Sequence, residues 1–152
     1  MGYSKSAKLQ TGEEEMNKKY KPELETKCWG KVQHIFANPS AAVSKPQVEP
    51  GWMCSRHYHR DRYNMFAVTS GAIAVEEWQY GVKALTLLGA GEVLTVPPGV
   101  LHRFRVWRRG NLTEVYWPKD SNCVCDINDI VRLDTGGPDE GLEEELKEAG
   151  LI

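Results

Sequence analysis

The chain has 152 residues, of which 41% are hydrophobic and 26% charged, and its formal net charge is -2. This length supports one domain with its own core and excludes two of ordinary size, while near-neutrality gives nucleic acid no electrostatic hold. No run approaches the roughly 20 apolar residues that span a bilayer, and the polar N-terminus lacks the apolar stretch of a signal peptide, so no membrane partner is expected. Cys28, Cys54, Cys123 and Cys125 form no CxxC pair, a pattern that fits reduced thiols in a cytoplasmic protein.

In chain order, residues 1–26 mix Lys and Glu with few large apolar side chains and read as a flexible charged tail, with a helical turn across Glu13–Lys19. The folded domain is expected from Lys27, where Trp29, Val32 and Ile35 stand among polar residues as on a strand. A turn at Asn38–Ser40 leads to a second strand, Ala41–Val48, in which Pro46 implies an edge or a bulge. After the Pro50-Gly51 turn, Trp52–His59 forms a strand with Met53, Ser55, His57 and His59 on one face. Arg60–Tyr63 is a charged loop, and Asn64, Phe66 and Val68 share a face of the returning strand. Gly71 and Gly81 turn the chain on either side of Ala72–Tyr80. Val82–Leu88, Val93–Val96, Leu101–Trp107 and Leu112–Trp117 follow as further strands. The basic run Arg103–Arg109 alternates with apolar residues and reads as a solvated face. Short strands at this spacing predict an all-β double-sheet jelly roll over residues 27–137. Residues 138–152 differ: Leu142, Leu146 and Ala149 recur at helical spacing among acidic residues, which predicts a short C-terminal helix.

Two segments carry the chemistry. His57 and His59 are separated by one residue, so on an extended strand both imidazoles leave the same face. His102 follows a Pro-Pro-Gly turn and shares a face with Phe104 and Val106. If these faces meet inside one barrel, three imidazole nitrogens converge on a site for a divalent ion. Imidazole suits Zn, Mn, Fe, Ni and Co alike. Asn64 reads either as a fourth, uncharged ligand or as a buried amide bonded to His57 or to a loop.

The pattern Gly51, His57, His59, Asn64, Gly71 resembles the first cupin motif, and Gly91, Pro97, Gly99, His102 resembles the second. The first motif usually has Glu where Asn64 stands, and the second usually ends in Asn where Val106 stands. Further along, CWG, HYHRD, VTSG, TVPPGVLHR, LTEVYWP and DINDIVRLDTGG are similar, in order, to the cupin domain of type II mannose-6-phosphate isomerases, without their nucleotidyltransferase domain. That resemblance implies a cupin double-stranded β-helix and a bound metal. It also implies a sugar or sugar phosphate as ligand, aldose-ketose isomerisation, and pairing into a homodimer. Isomerisation needs a base, for which Glu77 is the candidate if the face it shares with Ile73 and Val75 is inward, and a phosphate needs a cation, for which Arg60 and Arg62 are placed beside the histidines. Two other readings stand beside it: a non-catalytic binding or regulatory cupin, and a three-histidine non-haem iron dioxygenase.

Overall fold

The computed structural model describes residues 19–152. Except for Lys19, the helical turn expected across Glu13–Lys19 lies outside the described residues. Among the described residues, eleven strands form one curled sheet. They are β1 (Leu24–Lys27), β2 (Gly30–Asn38), β3 (Ala41–Val48), β4 (Trp52–Met53), β5 (His57–Tyr58), β6 (Arg62–Gln79), β7 (Val82–Gly89), β8 (Val93–Val96), β9 (Leu101–Pro118), β10 (Val131–Arg132) and β11 (Gly137–Pro138), followed by helix α1 (Leu142–Glu148). No described helix is long and apolar enough to cross a membrane.

The antiparallel pair β6 and β9 is the spine, paired from Arg62 opposite Pro118 to Trp78 opposite Leu101 with register shifts between Val68 and Ile73. Four expected strands are thus two long ones. Gly71, expected to turn the chain, keeps a left-handed φ of 77° and lets β6 run on through a bulge. A Cβ at Gly71 would lie 2.4 Å from the Arg109 carbonyl oxygen, and one at Gly110 would lie 1.9 Å from that of Ser70, so the two glycines let the strands cross closely where both bend.

Even-numbered residues of β6 up to Val68, and Phe104, Val106 and Leu112 of β9, point inward. Of these, the apolar Phe66, Val68, Phe104, Val106 and Leu112 make the buried core with Val32, Val48, Ile73, Val75 and Val96. Each large side chain so buried contributes about 1.5–3 kcal/mol. The all-β jelly roll expected from the strand spacing is the architecture observed.

Several boundaries move. Residues 24–26, assigned to the tail, belong to β1, which pairs with β2. Pro46 lies not at an edge but within β3, in the gap of the β3–β9 ladder between Ser44 opposite Glu114 and Gln47 opposite Asn111, where its missing N–H costs no bond. The histidine strand is two short pieces. Between them Cys54 turns into the core, its N–H bonded to the Phe104 carbonyl, so strict alternation from Met53 to His59 is broken.

The basic run is not a solvated face throughout. α1 begins only at Leu142 and packs Leu142 and Leu146 onto the outer side of the sheet against Ala74, Leu85, Leu87 and Trp107. That covers Arg105, which is 3% exposed and bonded to Glu76, Asp139 and Glu145. Glu76, fully buried, also takes Arg103 and Lys83. Asp139 and Glu145 lie too far along the sequence for strand parity to reveal this pairing.

Candidate metal centre

β5 sets His57 directly opposite His102 on β9, and His59 follows one residue past the end of β5. The Pro97–Val100 turn is fastened to the same place, since the Gly99 N–H donates to the His59 carbonyl at 2.7 Å. Ring centroids are 4.5 Å apart for His57 and His102, 5.1 Å for His57 and His59, and 5.3 Å for His59 and His102. One nitrogen from each ring lies within 4.8 Å of the other two. The two segments that the sequence expects to converge do so in the interior.

Each ring is oriented by a main-chain carbonyl. Nδ1 lies 2.7 Å from the Ser55 oxygen in His57, 2.7 Å from the Asp129 oxygen in His59, and 2.9 Å from the Val100 oxygen in His102. A carbonyl oxygen only accepts, so Nδ1 carries the proton in all three rings and Nε2 presents a lone pair. Longer approaches to the same atoms, Ser55 Oγ at 3.3 Å and Arg62 Nε at 3.4 Å, do not displace these bonds. Among the described residues His59 Nε2 is buried without a hydrogen-bond partner, which costs about 1–3 kcal/mol unless a ligand satisfies it.

All three rings are held neutral, the form that binds a cation. Burial pushes His59 down to about 3, helped by the charge of Arg62. Burial and Arg62 take His102 down to about 4. His57 falls well below the usual imidazole range through burial and its two histidine neighbours. Preset lone pairs, neutrality and an orphaned nitrogen fit a divalent cation held by three imidazoles.

Asn64, fully buried on β6, sits beside the cluster. Its Oδ1 is 3.2 Å from His102 Nε2, and its Nδ2 donates to Glu114 Oε2 at 3.1 Å. Tyr116 donates its hydroxyl to that same oxygen at 2.5 Å. Burial raises the Glu114 carboxyl above its ordinary range, against the pull of Tyr116, Asn64 and Arg62.

A cavity of about 430 Å³ opens from this cluster, within the range of small-molecule sites. His57, His59, Arg62, Glu114 and Tyr116 line it, and Glu25, His34, Ser44 and Arg132 add polar wall. Of the two arginines expected at the mouth, Arg62 reaches the cavity. It is 5% exposed, its Cζ lies 4.1 Å from the Tyr116 ring centroid, and it makes no ion pair among the described residues. Arg60 is exposed and not part of the wall; its N–H is tied to the Asp129 carboxylate. Glu77 lies directly across from His102, on the inward face with Ile73 and Val75. It is half-buried, its carboxyl is raised by burial, and it lies outside the cavity wall.

Sequence reasoning missed Glu114 and Tyr116. The signal was present in Leu112, Glu114 and Tyr116, which continue the even-numbered inward face of His102, Phe104 and Val106. It also left the DINDIVRLDTGG segment without a task. Asp129 supplies the carbonyl that orients His59, its carboxylate receives the N–H groups of Arg60 and Asp61, and β10 pairs with β5. The segment is a clamp on the histidine strand.

Residues 47–111 match the family model described as "Cupin domain". No curated protein matches the sequence. Among solved structures, the capsular polysaccharide assembling protein CapF from Staphylococcus aureus is similar at TM-score 0.61 and 18% identity, over 77% of this chain and 35% of that one. Oxalate decarboxylase from Bacillus subtilis is similar at TM-score 0.62 and 15% identity, over 74% of this chain and 30% of that one. Another structure of that decarboxylase, a study of its Mn(II) centres, is similar at TM-score 0.59 and 14% identity, over 70% of this chain and 30% of that one. The chain thus spans about a third of the length of these structures, and at such identities they show the shared fold alone. The matched residues, the curled sheet and these neighbours together identify the fold as the cupin jelly-roll barrel.

Proposed function

We propose that this barrel holds a divalent ion, of the Zn, Mn, Fe, Ni or Co type, through His57, His59, His102 and Asn64, and takes a sugar or sugar phosphate into the cavity beside it. The observation that carries the reading is the pairing of three inward Nε2 lone pairs with a buried guanidinium that makes no ion pair among the described residues. When bound, the ion supplies Lewis acidity toward sugar oxygens. Arg62 supplies fixed positive charge, which a phosphate or other oxyanion neutralises bidentately and which water is largely excluded from screening. On the same wall, Glu25, His34 and Ser44 form a hydrogen-bonded row, with His34 2.8 Å from Glu25 and 3.2 Å from Ser44, that presents partners for hydroxyl groups.

Aldose-ketose isomerisation, implied by the sequence resemblance, is the enzymatic form of this reading; Glu77, across from His102 but outside the cavity wall, is the candidate base that the sequence offers. A binding protein without turnover is the second reading, favoured by Glu114: that cavity carboxylate is already engaged by Asn64 and Tyr116. Elemental analysis of protein purified without added metal is expected to show one divalent ion per chain. Calorimetry with mannose 6-phosphate then tests binding, and an aldose-ketose assay of wild type and Glu77→Gln tests turnover. Metal without turnover leaves the binding form; neither metal nor sugar binding defeats both.

A further inference from the structure

We infer that Glu114 is a positioning residue for the metal site, fixing the Asn64 amide so that its oxygen faces the three imidazoles. The inference rests on the proposed metal centre and concerns how a neutral amide is made an adequate ligand.

His102 Nε2 and Asn64 Oδ1 approach to 3.2 Å. The proton of His102 is on Nδ1, given to the Val100 carbonyl at 2.9 Å, so this contact sets one lone pair against another. Two acceptors at that distance repel unless a cation lies where both can reach it. Reversing the amide would relieve His102 but would aim Asn64 Oδ1 at Glu114 Oε2, the oxygen that accepts from the Tyr116 hydroxyl. Glu114 Oε2, as acceptor, therefore selects the orientation that offers oxygen to the centre. Its own position is fixed in turn. The register places Phe66 opposite Glu114 and Asn64 opposite Tyr116, so all four side chains share the inner face, and the Tyr116 hydroxyl donates to the oxygen that receives Asn64.

The same bond alters the ligand. Donation of an amide N–H to a carboxylate is charge-assisted and polarises the amide, moving electron density onto Oδ1. A carboxylate that does not touch the ion thus lends it compensating charge through one hydrogen bond. Neither strand does this alone: β6 brings the amide and β9 the carboxylate.

The test is titration of the full-length, metal-stripped chain with Co²⁺, read by visible absorption, on wild type, Glu114→Gln, Asn64→Ala and the double variant. Glu114→Gln is expected to weaken Co²⁺ binding about tenfold or more. Added to Asn64→Ala it is expected to change nothing further, because Glu114 acts through Asn64. Wild-type affinity in Glu114→Gln, or an equal loss in both backgrounds, overturns the inference while leaving the metal centre standing. Failure of wild type to bind Co²⁺ overturns both. Metal-free melting curves show whether each variant folds. If Glu114→Gln does not, Tyr116→Phe removes the hydroxyl that steadies Glu114; a smaller loss in the same direction is expected, and no loss overturns the inference.

Discussion

His57 and His102 are direct cross-strand partners on β5 and β9, their ring centroids 4.5 Å apart, so each imidazole forms part of the wall around the other. Removing one takes away a ligand and a packed ring, but the strands keep their main-chain bonds. His102→Ala is expected to retain less than about a tenth of the wild-type metal and to lose about 1–3 kcal/mol of metal-free stability, the ordinary cost of a buried deletion. Elemental analysis and urea melts check the two halves. Global unfolding would mean that the histidine serves the barrel rather than a ligand.

The metal-free protein should weaken in mild acid. Imidazoles released on unfolding titrate near 6.5, whereas in the fold His59 and His102 wait until about 3 and about 4, and His57 also lies well below. Between those limits the unfolded chain binds more protons, so stability is full above pH 6.5 and falls as pH drops toward 4. Glu114 and Glu77, both raised in the fold, act in the opposite direction between the ordinary carboxylate range and their raised values, but the three imidazoles outnumber them. Thermal melts of stripped protein from pH 7 to pH 5 should show a decreasing midpoint. A flat profile would mean that the histidines are solvated.

Arg62 separates ligand binding from folding. It is buried without an ion pair among the described residues, so replacing it by an apolar side chain of similar length removes a desolvated charge. Arg62→Met is expected to leave the melting temperature unchanged or raised and to weaken binding of an anionic ligand such as inorganic phosphate about tenfold or more, the scale of a buried charged hydrogen bond. Calorimetry of the metal-loaded protein checks this; unchanged phosphate affinity would remove Arg62 from the site.

Glu76 is the counterpart on the outer face, where it holds Arg103, Arg105 and Lys83. Glu76→Ala leaves two guanidinium groups short of a partner beneath α1, and a loss of about 3–5 kcal/mol is expected in a denaturant melt. Glu145, more than a third exposed, bonds Arg105 and Lys83 from the helix, and Glu145→Ala should cost no more than about 1 kcal/mol. Equal costs would mean that water, rather than Glu76, solvates Arg105.

How far the sequence could be read depended on range. Alternation with period two is local, and it placed His102, Phe104 and Val106 on one face, and Asn64 with Phe66, as observed. Punctuation by glycine misled, because a glycine that ends a strand and one that lets two strands cross look alike in sequence; Gly71 shows the difference only beside Gly110. Pairings across long stretches of chain were out of reach. Nothing local says that Asp129 will orient His59, or that Asp139 and Glu145 will bury Arg105.

Position 64 gives the most discriminating variant. Asn64→Glu adds a negative charge for the ion, but Glu114 Oε2 lies 3.1 Å from the amide nitrogen that the new carboxylate replaces. Two carboxylates that close cannot both ionise readily, and one keeps a proton until the ion drives it off. The single variant is therefore expected to bind Co²⁺ with a steeper pH dependence than wild type, gaining affinity mainly above neutral pH. When Asn64→Glu is combined with Glu114→Gln, the second charge is gone and the amide introduced on β9 can donate to the new carboxylate on β6. That double variant is expected to hold Co²⁺ more tightly than wild type at every pH, by about tenfold or more. Titrations at pH 6 and pH 8 decide it. If both variants bind as wild type does, position 64 does not touch the ion, and the three imidazoles hold it without help from β6.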